Sequence, residues 1–105
     1  MAKLITVYWR DIPAQVIAKR GRESAKVALA DRFQVAIDRA AMRAGRGSSE
    51  HYLNDWRREP RACGNDLRAE AEAEAKRLES LFDDARLARL VKAGGVDKPL
   101  EAEGA

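Results

Sequence analysis

Leu4-Ile5-Thr6-Val7-Tyr8-Trp9-Arg10-Asp11-Ile12-Pro13-Ala14-Gln15-Val16-Ile17-Ala18-Lys19 decides the fold. Its first half is rich in β-branched and aromatic residues, which suit a pleated, half-buried surface. Apolar side chains fill both alternating sets, Leu4, Thr6 and Tyr8 on one side and Ile5, Val7 and Trp9 on the other. Lys3 to Trp9 therefore reads as a well-buried strand. Arg10 to Pro13 breaks it: Pro13 fixes its own φ and holds Ile12 extended, which puts a turn here. Ala14 to Lys19 then reads as a second strand returning antiparallel, ended by Arg20-Gly21-Arg22. An isolated hairpin is barely stable, so a third strand or a covering helix is required.

The rest of the chain supplies helices. From Glu23 to Ala44 the period lengthens, with Leu29, Phe33, Ala36, Ile37, Ala40 and Ala44 on one stripe and Asp31, Gln34 and Asp38 opposite. Ser24 or a neighbour caps this helix and Gly45 stops it. Val35 and Met42 sit off the stripe, so they meet another helix or form an exposed apolar spot. After the loop Gly45 to Ser49, with Ser48 or Ser49 as cap, a short helix runs from Glu50 to Arg57. Glu59-Pro60 ends it, and Arg61-Ala62-Cys63-Gly64 can add a short third strand. A last helix starts at Asn65 or Asp66 and runs to Gly94-Gly95 on the stripe Leu67, Ala71, Ala75, Leu78, Phe82 and Ala85. Leu87, Leu90 and Val91 leave that stripe.

The expected fold is thus α+β: an N-terminal antiparallel hairpin packed against two long helices and one short one. At 105 residues it forms a single domain over residues 1–93, with residues 94–105 as a disordered tail. Much of the apolar content is alanine, which buries little area. The core must come from large residues such as Leu4, Trp9, Val16, Phe33, Ile37, Leu53, Trp56, Leu78, Leu81 and Phe82. At roughly 1.5–3 kcal/mol per buried large side chain, these offset chain ordering only narrowly.

No apolar run approaches a membrane span, the first residues make a poor signal peptide, and Cys63 has no partner for an internal disulfide. The expected compartment is the cytoplasm. Charge is uneven: residues 1–64 hold 13 Lys/Arg against 7 Asp/Glu, whereas residues 65–105 hold 7 against 10. Such asymmetry steers anionic partners or brings two copies together, so homodimerisation stays open beside a solvated-surface reading.

Chemistry has little to work with. One histidine, His51, and one cysteine, Cys63, give no metal-ligand spacing, and the glycines lack phosphate-loop spacing. Asp83-Asp84 and the Ala-Glu run read as solvated carboxylates on a helix surface. The expectation is a non-enzyme without cofactor or metal. Two segments stand out as partner-binding: Trp9, Arg10 and Asp11, which can form a fixed ion pair beside an aromatic platform, and Trp56, Arg57 and Arg58, a basic turn after an aromatic. The run Lys19-Arg20-Gly21-Arg22 extends the basic surface towards an anion or nucleic-acid patch. A protein partner is the first reading; the alternative is a nucleic-acid binder using the basic N-terminal half.

The block Leu4 to Val16 resembles the small bacterial "virulence factor" family. So do Arg32-Phe33 with Ala36 to Met42, Tyr52 to Arg58, and Ala69 to Ala73, a likeness spanning about residues 4–92. Stand-alone chains of this type are typical of alphaproteobacteria. The resemblance implies no activity and no catalytic residues. It implies an accessory role, with gene neighbours in folate- and corrinoid-linked one-carbon metabolism.

Overall fold

The computed structural model describes residues 1–45 and 49–96, apart from the side chains of Ser49 and His51. In chain order the elements are β1 (Lys3–Trp9), β2 (Ile12–Arg20), β3 (Glu23–Ala28), α1 (Asp31–Arg43), α2 (Ser49–Asn54), β4 (Trp56–Ala62), α3 (Leu67–Leu81) and α4 (Asp84–Lys92). The strands form one antiparallel sheet in the order β3-β2-β1-β4.

The α+β class and the leading hairpin agree with the sequence pattern, but the sheet is larger. Glu23–Ala28, expected as the first turns of a helix, is instead strand β3, paired with β2 from Arg20↔Glu23 to Gln15↔Ala28. Its side chains alternate: Ala25 is buried and Val27 half-buried, while Ser24, Lys26 and Ala28 are exposed. Trp56–Ala62, expected as helix end and turn, is β4, paired with β1 from Trp9↔Trp56 to Lys3↔Ala62. Pro60 sits within it because β4 is an edge strand, where a missing N–H leaves no ladder unpaired. The third strand expected at residues 61–64 begins five residues earlier, and pairing continues only to the bond from Cys63 N to Ala2 O.

The expected final helix is two helices. Asp83 accepts a hydrogen bond from Arg86 N at 2.8 Å and so caps a new helix at Asp84. This break accounts for Leu87, Leu90 and Val91 leaving the α3 stripe. Asp66 caps α3 in the same way, accepting from Ala69 N. Helix α1 has no side-chain cap of its own. Glu79 of α3 accepts from Ala30 N, and Arg32 donates to the carbonyls of Glu79 and Phe82, tying the start of α1 to the end of α3.

Pairing assigns residues to faces. Leu4, Thr6, Val16, Ala18, Ala25 and Val27 share one face, on which α3 lies through Ala71, Ala75 and Leu78. Helices α1 and α4 pack on each other and continue this core through Phe33, Ile37, Ala40, Leu87 and Leu90. Two expected core residues fail: Leu53 is 65% exposed and Leu81 46% exposed. Val35 and Met42 form the exposed apolar spot. Gly94 and Gly95, beyond the domain end read from sequence, are buried, while the tail from Asp97 lies outside the described residues. No described helix is long and apolar enough to cross a membrane.

Candidate functional site

The β1–β2 turn is held by two segments far from it in sequence, Asp55–Arg57 and Gly94–Gly95. Arg10 adopts φ +53°, the one non-glycine in the left-handed region among the described residues. Its side chain reaches Asp55 Oδ2 at 3.2 Å and the Gly94 carbonyl at 2.9 Å, and its guanidinium lies over Trp9. Backbone bonds reinforce both links, from Arg10 N to Asp55 O and from Asp11 N to Gly95 O. Arg57 completes the clasp from β4. It pairs with Asp11 Oδ1 at 3.2 Å and Glu59 Oε2 at 3.0 Å, donates to the Arg10 carbonyl, and covers the Tyr8 ring.

These contacts change the reading of the turn. Arg10 and Asp11 do not pair with each other; each pairs across to the β4 side, Arg10 with Asp55 and Asp11 with Arg57. Trp9 is not a surface platform. It is fully buried, stacked on Tyr52 with Nε1 donating to the Tyr52 carbonyl at 3.0 Å. Trp56 is half-buried, edge-on to Tyr52. Arg20 lies at the opposite end of β2, about 26 Å away at ~3.3 Å per residue, and pairs with Glu23. The side chain of His51 lies outside the described residues.

On the helix-covered face a second polar cluster sits where β4 meets α3. Glu74 is 5% exposed and accepts from Arg77 at 2.9 and 2.6 Å and from Arg61 at 3.1 Å. It is not one of the solvated carboxylates expected of the Ala-Glu run. The hydrogen bonds from Arg77, outweighing burial, hold its carboxyl below the usual range, and the same bonds raise the Arg77 pKa. Burial, with Glu59 nearby, pushes the Tyr8 phenol up. Burial and Glu70 likewise raise the Cys63 thiol. Glu74 is thus a fixed anion, while Tyr8 and Cys63 hold their protons more firmly than usual; none is tuned to exchange a proton near neutrality.

Tyr52 of α2 covers one end of the sheet's other face, stacked on Trp9 and edge-on to Trp56; beyond that pair the face runs on towards Lys3. Three cross-strand rows make it: Ser24-Lys19-Lys3-Ala62, Lys26-Ile17-Ile5-Pro60 and Ala28-Gln15-Val7-Arg58. Val7 and Ile17 are buried yet stand apart from the main core cluster, as residues of the opposite face should. An open cleft of about 530 Å³ lined by Val7, Gln15, Trp56, Arg57 and Arg58 lies at one end. Arg57 and Arg58 are neighbours in a strand and both reach this cleft, Arg57 while it locks the turn through Asp11 and Arg58 as an exposed cation.

The sequence singled out Arg58 and Trp56, with Lys19 in the basic run beside Arg20, and missed Lys3 and Lys26 as members of the same face. Period-2 parity was the available signal for Lys3. Lys26 was hidden because its segment read as helix. Asp55, Gly94 and Gly95 of the clasp were also missed, since only the fold brings them to the turn.

A family model described as "Virulence factor" matches residues 7–91, so the chain belongs to that family. No curated protein and no solved structure matches.

Proposed function

We propose that this member of the virulence factor family is a small cytoplasmic accessory module that binds a protein partner and is not itself an enzyme. The observation that carries this reading is the two-sided sheet. One face is covered by α3, with α1 and α4 extending its core, while the other, beyond Tyr52 at one end, keeps aliphatic side chains under a rim of exposed cations, with an open cleft beside Trp56 and Arg58. A single sheet with one face open suits docking better than enclosing a small substrate. Trp9, Arg10, Asp11 and Arg57 support this surface by fixing the turn at its end; Trp56 and Arg58 belong to the surface itself.

Site-specific photocrosslinking in the native host tests the reading. A photoreactive residue replacing Arg58 should give one discrete protein adduct, and one replacing Arg68, exposed on α3, should not. Equal capture at both positions, or none at position 58, overturns it. The rival, a nucleic-acid binder, would show weakening of binding with a steep log–log dependence on salt.

A further inference from the structure

Resting on the reading that the open sheet face binds protein, we infer that its occupant is an acidic segment of the partner built around aliphatic side chains. The sheet sorts charge by face. Lys3, Lys19, Lys26 and Arg58 all lie on the open side, and no Asp or Glu occupies any of its three rows. Carboxylates on the strands fall instead on the helix-covered side, where Glu59 alternates with Arg57 and Arg61, or at the strand end in Glu23. None of the four cations has an ion-pair or hydrogen-bond partner among the described residues, although their neighbours Arg10, Arg20, Arg57 and Arg61 all do.

Two details narrow the occupant. Lys3 and Lys19 stand directly opposite each other, an arrangement that costs stability by itself and that an anion laid between them relieves. The centre of the face is aliphatic: Ile5 pairs with Ile17, and Val7 lies in the next row. Single-stranded nucleic acid is held by bases stacked on exposed aromatic rings. Here the nearest ring is Trp56, at the margin and turned edge-on to Tyr52 at 83°. Aliphatic side chains flanked by carboxylates match this face; bases do not.

The test uses the full chain and three fluorescent probes: an alternating Glu/Leu peptide, a Glu/Ser peptide of equal charge, and oligothymidylate. The Glu/Leu peptide should bind best, and raising salt from about 50 to about 300 mM should weaken it as screening shortens. Lys26→Glu with Arg58→Glu should weaken binding by about tenfold or more, equivalent to ~1.4 kcal/mol. The control Arg68→Glu with Arg89→Glu, on exposed helix surfaces, should leave it unchanged. NMR shifts on peptide addition should centre on Ile5 and Ile17 and spare Leu78. Tighter binding of oligothymidylate, equal binding of the Glu/Ser peptide, or no binding of the Glu/Leu peptide overturns the inference. Crosslinking at position 58 to a partner without such a segment would overturn it while leaving the protein-binding reading intact.

Discussion

Replacing Gly95 by alanine separates backbone strain from packing at the turn clasp. Gly95 has φ +90°, and a Cβ built there would lie 2.7 Å from Trp9 Cζ3 and 3.2 Å from Cε3. The indole cannot retreat, because it is fully buried, stacked on Tyr52 and anchored through Nε1. The left-handed backbone costs an L-residue about 1–2 kcal/mol. Overpacking a tight site adds about 1–3 kcal/mol, so the total is about 2–5 kcal/mol. Gly21 supplies the control: its φ is +59°, but nothing lies within 4 Å of an added Cβ. Gly21→Ala therefore meets the backbone cost alone, and the reduced freedom of the unfolded chain offsets both variants alike. Urea denaturation followed by circular dichroism measures both losses, with near-ultraviolet signals reporting the Trp9 environment. Gly95→Ala should lose about 1–3 kcal/mol more than Gly21→Ala and alone disturb the aromatic signal. A difference below about 0.5 kcal/mol, within the usual range of surface substitutions, would refute the packing argument.

Other perturbations probe the remaining contacts. Arg10→Ala loses the bonds to Asp55 and Gly94 but keeps the left-handed strain, whereas Arg10→Gly loses the same bonds and removes the strain. In denaturation, the glycine variant should be the more stable of the two by about 1 kcal/mol. Glu74→Gln should cost about 2 kcal/mol at neutral pH by weakening charge-assisted bonds to Arg61 and Arg77. Because the folded carboxyl is held below its ordinary value of 4.5, that contribution is present above pH 4.5 and is lost as pH falls through the lowered folded value. The stability gap between wild type and variant should accordingly narrow in acid, and a gap independent of pH would count against the ion pair. Lys26→Glu with Arg58→Glu should leave stability within about 0.5 kcal/mol, which a melting curve checks independently of binding.

Sequence and structure agree where local preference and tertiary demand point the same way. Lys3 to Trp9 reads as a strand because it is rich in β-branched and aromatic residues with apolar side chains on both faces, and it is one. Asp66 announces a helix by its capping chemistry, and caps it. The segment Glu23–Ala28 misleads for a physical reason: its alanines, glutamate and lysine favour a helix, and small side chains blur the two-residue alternation. The long hydrogen-bonded edge of β2 overrides that preference. In β4, charged residues and Pro60 suit an edge strand, but the same composition describes a loop. The clasp was half legible. Arg10, Asp11 and Arg57 announced themselves by type and position, but their exchange of partners depends on where Asp55 and Gly94 arrive.

That dependence gives the molecule an order of assembly. Arg10 bonds to residues 45 and 84 positions further along the chain. At a synthesis rate of ~5–20 residues per second, the link to Gly94 waits roughly 4–17 s after Arg10 has been made. During that interval β1 and β2 can meet, but the left-handed turn joining them has no side-chain anchor and β1 has an open edge until β4 emerges. The first turn to be synthesised is therefore among the last to be secured, and the nascent hairpin must tolerate slipping and re-pairing until the segment around Gly94 closes over it.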